Sequence, residues 1–273
     1  MTNEKKAPAY SEAHRTYLRA LRRKDHFVTA MRYLLLLFCL ALWELAARVG
    51  WIDPFIGSSP SRLWAAILRL YQAGELWGHI GVTLLETVVG FVAGTLMGTL
   101  AAVFLWWSAT LNRILDPYLV ILNALPKIAL GPILIVWFGA GMKSIIVMGL
   151  LISLVVTIMS VLAGFNAITD EKQLLMRTLG ASKMQILIMV VLPASLPTIM
   201  NALKISVGMS WVGVIVGEYL VSKAGLGYLI VYGGQVFNLD LVMASIVILC
   251  LLAALMYYGV AYLERRICQR VGA

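Results

Sequence analysis

Charge is scarce in this sequence: Asp, Glu, Lys and Arg make up 13% of its 273 residues, against about 25% in an average soluble domain. So few charges exclude a soluble enzyme, which would expose too much apolar surface. They also exclude a disordered chain. Cysteine is scarcer still. Cys39, Cys250 and Cys268 stand far apart, which excludes a disulfide scaffold and offers no metal-ligand spacing. His14, His26 and His79 are too dispersed for a metal site. The chain lacks a G-x-x-x-x-G-K-S/T phosphate loop, so it cannot hydrolyse ATP by that route. It also lacks an H-E-x-x-H motif.

What the sequence has in excess is apolar length. Hydrophobic residues reach 61% and the mean hydropathy is +0.89. Six apolar runs come close to the ~20 residues that cross a bilayer: 33–49, 80–107, 117–138, 144–165, 195–221 and 241–263. The expected fold class is an all-α membrane protein with six transmembrane helices. Gly139-Ala140-Gly141 predicts a tight turn between the third and fourth spans. Gly90, Gly94 and Gly98 predict close helix packing in the second, within one subunit or at a dimer seam. Trp43, Trp51, Trp64, Trp77, Trp106 and Trp107 fall near span ends, as interface anchors do.

Residues 1–32 are polar and basic. Tyr10, His14, Tyr17, Leu18 and Leu21 keep helical spacing among Arg15, Arg19, Arg22 and Arg23, which predicts an amphipathic helix on the inner membrane surface. A signal peptide is not expected, since no small-residue cleavage site follows the first apolar run. The net charge is 22 − 13 = +9. Fifteen of the 22 basic residues fall in segments that are cytoplasmic if the N-terminus is inside, and five fall on the opposite side. That asymmetry predicts both termini in the cytoplasm. It also explains the basic excess by the membrane, with no nucleic acid as partner.

The segment 166–191 is written as two helices. Thr169 or Asp170 can cap the first, with Glu171 near its positive end. Gly180 falls where a helix ends in a left-handed residue. Ser182 and Gln185 have capping-box spacing for the second. A short, sharply bent projection is expected on the cytoplasmic side.

Four polar residues inside spans are candidates for a translocation path: Asn123, Lys127, Lys204 and Glu218. Charges at membrane depth face a protein interior or a water-filled route. Pro126 and Pro132 open the backbone near Lys127, which is tolerated where it lines a cavity. Lys127 and Lys204 form either a basic constriction for an anionic or acceptor-rich solute, or structural pairs. Glu86 and Glu218 carry the same two readings. Glu44, in the outer part of the first span, is expected to reach the interface.

The projection carries a family resemblance. Arg177-Thr-Leu-Gly-Ala-Ser182, Val190 and Val191-Leu-Pro-Ala-Ser-Leu-Pro197 resemble the cytoplasmic signature of binding-protein-dependent ABC importer permeases. Ala41-Leu-Trp-Glu-Leu-Ala46, Ser59-Pro60-Ser61, Leu125-Pro126, Trp137-Phe-Gly139 and Gly225-Leu-Gly-Tyr228 resemble the nitrate, sulfonate and taurine branch. One departure stands out: the Glu-Ala-Ala of the signature falls on Leu174, Leu175 and Met176.

The resemblance implies a type I importer-like bundle over 33–265, multi-pass in a bacterial cytoplasmic membrane, with an N-terminal interfacial helix and a cytoplasmic tail at 266–273. It implies a non-enzymatic transport subunit that pairs with a second copy of itself. Two cytoplasmic ATPase subunits would carry the ATP and Mg, and an extracytoplasmic binding protein would deliver the solute. The ATPase-coupling residues would be Leu174, Leu175, Met176, Arg177, Leu179, Gly180, Ala181 and Ser182, on a bulkier and more apolar surface than the family's usual one. The expected solute is nitrate-, sulfonate- or taurine-like, or a heteroaromatic vitamin precursor. The rival is a stand-alone channel or secondary transporter, whose midplane acid chains and inverted repeats are not evident here.

Overall fold

A computed structural model of the chain describes residues 12–168 and 170–271. Among them every regular element is helical. Five helices are long and apolar enough to cross a membrane: His26–Val49, Leu76–Trp107, Met142–Asn166, Lys183–Val221 and Leu239–Gln269. A bent pair, Ala109–Ala124 with Lys127–Phe138, makes a sixth if taken as one span. The chain divides into two units, Met1–Leu63 and Trp64–Ala273.

The first unit is dominated by α1 (Glu12–Val49). The expected boundary between a surface helix and the first span, at residues 32 and 33, is not a break, because one helix runs through it. The physical reason is that α1 contains no Gly or Pro and is rich in Leu, Ala and Arg, so nothing stops the helix there. Tyr10, in the expected surface helix, lies outside the described residues. α1 ends at Gly50, whose φ of +83° suits a left-handed cap, and the Trp51 N–H closes on the Ala46 carbonyl at 2.9 Å.

Two helices follow, α2 (Pro54–Gly57) and α3 (Pro60–Gln72). Trp43 and Glu44 pin the connection. Trp43 Nε1 donates to the Gly57 carbonyl at 3.2 Å. Glu44 accepts the Ser61 N–H at 3.1 Å and its hydroxyl at 3.0 Å. The carboxylate therefore sits on the positive end of α3, where the sequence had suggested a side chain merely reaching the interface.

The core of the second unit is α4 (Leu76–Trp107), α7 (Met142–Asn166) and α10 (Leu192–Val221). Helices in lipid gain no hydrophobic drive from each other, so close contact and hydrogen bonds must hold them. The Gly-x-x-x-Gly stripe of α4 lies on α7. A methyl group at Gly94 would fall 2.3 Å from Ser153 Oγ, and one at Gly98 would fall 2.8 Å from Thr157 Cβ. α7 and α10 meet at Gly149 and Gly213, where a Cβ on Gly213 would fall 2.6 Å from the Gly149 Cα. Thr157 and Ser206 share a buried hydroxyl–hydroxyl bond of 2.7 Å between the same two helices.

The third expected span, 117–138, is corrected. α5 (Ala109–Ala124) and a 3-10 turn (Lys127–Leu130) leading into α6 (Gly131–Phe138) are bent by 86°. Leu125 precedes a proline and is extended, with φ −62° and ψ 132°, while Pro126 and Pro132 cannot donate to a helical ladder. The turn after α6 forms at Gly139 and Gly141, with φ of +84° and +144°. The chain ends in α11 (Leu226–Gln235), a helix the hydropathy pattern did not reveal, and α12 (Leu239–Val271), which carries the last span onward through 266–271.

Candidate coupling loop and membrane polar sites

The bent projection is built from α8 (Asp170–Thr178) and α9 (Lys183–Ile186). Thr169, one of the two expected caps, lies outside the described residues. Gly180 has φ +81°. Its N–H bonds to the Arg177 carbonyl at 3.0 Å, and the Ala181 N–H bonds to the Met176 carbonyl at 3.0 Å. This pair of bonds is the Schellman termination of a helix. Ser182 and Gln185 then cap α9 reciprocally, with the Ser182 N–H on Gln185 Oε1 at 2.7 Å. Two hydrogen-bonded helix ends, with only the four residues 179–182 between the helices, fix the bend.

The projection is anchored at one end and bare at the other. Ile186 and Leu187 are buried in a cluster with Ala102, Leu105, Val161 and Phe165, and Met176 and Ala181 pack against it. Leu175 and Leu179 are 61% and 74% exposed, and Leu174, Arg177 and Ser182 are exposed beside them. α9 does not end before the next span. A π-helical segment, Leu187–Val191, carries it into α10. There the Leu192 N–H reaches the Leu187 carbonyl, a wider ladder just ahead of Pro193. Lys183, which the sequence reading left out, donates to the Trp107 carbonyl at the C-terminal end of α4 and lies 5.5 Å above the Trp106 ring.

The structure gives each candidate path residue a partner of its own. Lys127 folds back on Asn123, its Nζ 3.0 Å from the Asn123 carbonyl that α5 leaves open at the break. Lys204 on α10 pairs with Glu264 on α12, Nζ to Oε2 at 3.0 Å. Glu218 is buried and accepts the Gly227 N–H at 2.5 Å. The sequence reading missed Glu264, and only the i, i+60 pairing could have revealed it.

Apolar spans around a glycine-packed core, with a rigid exposed helical bend at their base, define a polytopic membrane transport subunit. Residues 94–269 match the model of the "Binding-protein-dependent transport system inner membrane component", and the chain belongs to that family. It is 34% identical over 228 residues to a "Probable ABC transporter permease protein" of Haemophilus influenzae, covering 83% of this chain and 92% of that one. It is 28% identical over 233 residues to the taurine transport system permease protein of Escherichia coli, covering 84% and 85%. In fold it resembles a chain of an inward-facing methionine ABC transporter, with TM-score 0.62 over 73% of this chain and 97% of that one, at 23% identity. The chain is thus a multi-pass permease component of a type I ABC importer, a transport subunit whose ATPase is a separate polypeptide.

Proposed function

We propose that two copies of this chain form the membrane pathway of an ATP-driven importer, coupled to two cytoplasmic ATPase subunits through the 170–186 projection. One observation carries this reading. A bend fixed by a Schellman turn and a capping box presents exposed Leu174, Leu175 and Leu179, while its base is buried in the core. A rigid lever with a bare apolar tip can transmit a partner's movement into the spans. ATP and Mg act on the ATPase subunits. Their closure draws the two projections together and rocks the bundles toward the outside, and hydrolysis returns them. The second copy is supported by α5, no residue of which is buried within the chain.

Both termini face the cytoplasm in this reading, which the basic asymmetry supports. An extracytoplasmic binding protein delivers a small anionic or acceptor-rich solute, of the sulfonate kind that the E. coli taurine permease relative suggests. The test is coexpression of the tagged chain with the ATPase and binding protein encoded beside it. The expected result is a purified complex with two copies of this chain. Its ATPase should be stimulated when the binding protein carries taurine or another small sulfonate. Purification of the chain without any ATPase would sink the reading.

A further inference from the structure

Lys183, the first residue of α9, stands where three helix ends meet. Its Nζ donates to the Trp107 carbonyl at 2.5 Å. Trp107 is the last residue of α4, so the ammonium sits on the negative end of that helix. The same Nζ lies 5.5 Å from the centre of the Trp106 ring and 5.6 Å from that of Trp107, within range of the attraction between a cation and an aromatic face. Trp106 in turn meets the buried Phe165 of α7 edge to face, with ring centres 6.4 Å apart. Among the described residues no carboxylate pairs with Lys183, so the end of α4 takes its charge.

Beyond Trp107 the chain turns into α5. Ser108 is extended, with φ −121° and ψ 104°, and separates the two helices. Its Oγ accepts the Leu111 N–H at 3.2 Å and so caps α5. α5 has no buried residue, and Leu119 packs on the edge of the core cluster. The direction of a helix held so lightly along its length is set at its root. That root is one residue from the carbonyl that Lys183 holds. One route out of the projection runs along the backbone, through the π-helical segment into α10. Lys183 makes a second, into α4 and α5.

We propose that Lys183 is a positioning residue that carries movement of the projection to the root of α5. The proposal rests on the coupling reading above, in which a partner ATPase moves the projection and α5 faces the second copy. A side chain transmits movement only if both its ends are held. One end of Lys183 is fixed by the α9 backbone, whose Ser182–Gln185 capping box sets its direction. The other is held by a charge-assisted hydrogen bond, which is stronger than a neutral one. When the two projections draw together, the ammonium pulls the Trp107–Ser108 corner and α5 swings with it. Arginine in place of Lys183 would keep the charge, the donor and the affinity for indole faces. Methionine would keep only the apolar stem.

Electron-spin distance measurements on the whole complex in lipid nanodiscs test this without any solute. In a background without Cys39, Cys250 and Cys268, a spin label at Lys172→Cys reports on the projection. In a separate protein, one at Arg113→Cys reports on α5. Both side chains are exposed, and two copies of the chain give one distance for each site. On addition of ATP both distances should change in the parent. In Lys183→Met the change at the Lys172 site should persist, while the change at the Arg113 site should fall to less than half that of the parent. Lys183→Arg should restore it, and Lys183→Ala serves if Lys183→Met assembles poorly. A merely structural contact would shift resting distances or Tm without separating the two sites. An undiminished change at the Arg113 site in Lys183→Met and Lys183→Ala would overturn the proposal, as would a Lys183→Arg protein that behaves like Lys183→Met. A parent whose Lys172 distance ignores ATP would instead sink the coupling reading, and the proposal with it.

Discussion

Lys204 and Glu264 join α10 to α12 through a 3.0 Å ion pair, with side chains about a fifth and a quarter exposed. Lys204→Met leaves Glu264 without its partner. The expected loss is about 2 kcal/mol, below that of a fully buried pair because both ends keep some solvent. The exchange Lys204→Glu with Glu264→Lys should recover most of it. Thermal unfolding of the three proteins checks this. A Lys204→Met protein as stable as the parent would show that the pair holds nothing.

Gly213 and Gly208 lie on the same helix and make opposite predictions. A Cβ at Gly213 meets the Gly149 backbone at 2.6 Å, whereas one at Gly208 meets nothing within 4 Å. Gly213→Ala must push α7 away and should cost about 1–3 kcal/mol. Gly208→Ala should be neutral or gain about 0.5–1 kcal/mol from helix propensity. Tm in detergent separates the two, and equal effects would contradict the crossing point at Gly149.

Gly180 has open space around it, so the penalty there is conformational. A β-branched residue forced to φ +81° suffers about 1–2 kcal/mol. Gly180→Val should leave the spans inserted and weaken or uncouple the ATPase. Leu175→Asp with Leu179→Asp alters exposed side chains only, so the chain should fold normally and release the ATPase in detergent. Unchanged copurification and transport in both variants would place docking elsewhere.

Glu44 acts on α3 from α1. Glu44→Ala removes an acceptor from the Ser61 N–H and from Arg48 Nε, and should loosen the start of α3. Faster hydrogen exchange at Ser61 and Arg62 is the expected signature. Exchange unchanged from the parent would remove Glu44 as a cap.

Orientation has its own measurement. In a background without Cys39, Cys250 and Cys268, cysteines at Lys172 and Arg266 should react only from the cytoplasmic side, and one at Arg69 only from outside. The reverse pattern would invert the topology drawn from the basic residues.

Features that short stretches of chain control were legible in the residues alone. Apolar length set the spans, Gly139 and Gly141 set the turn before α7, and Gly180 with Ser182 and Gln185 set the bent projection, because glycine conformation and helix caps act within one turn of the backbone. The signature around Gly180 was enough to point to the family. What sequence could not supply was register between helices. That Glu44 caps α3, that Lys204 is neutralised by Glu264, and that Glu218 accepts the Gly227 N–H at the start of α11 all depend on which faces of distant segments meet. Those faces are chosen by glycine contacts such as Gly149 against Gly213, where a single methyl group decides how closely two helices can pack. The break at Pro126 lies between the two cases. Its prolines are visible in the sequence, but whether the chain kinks or turns through 86° is decided by what packs on either side of the break.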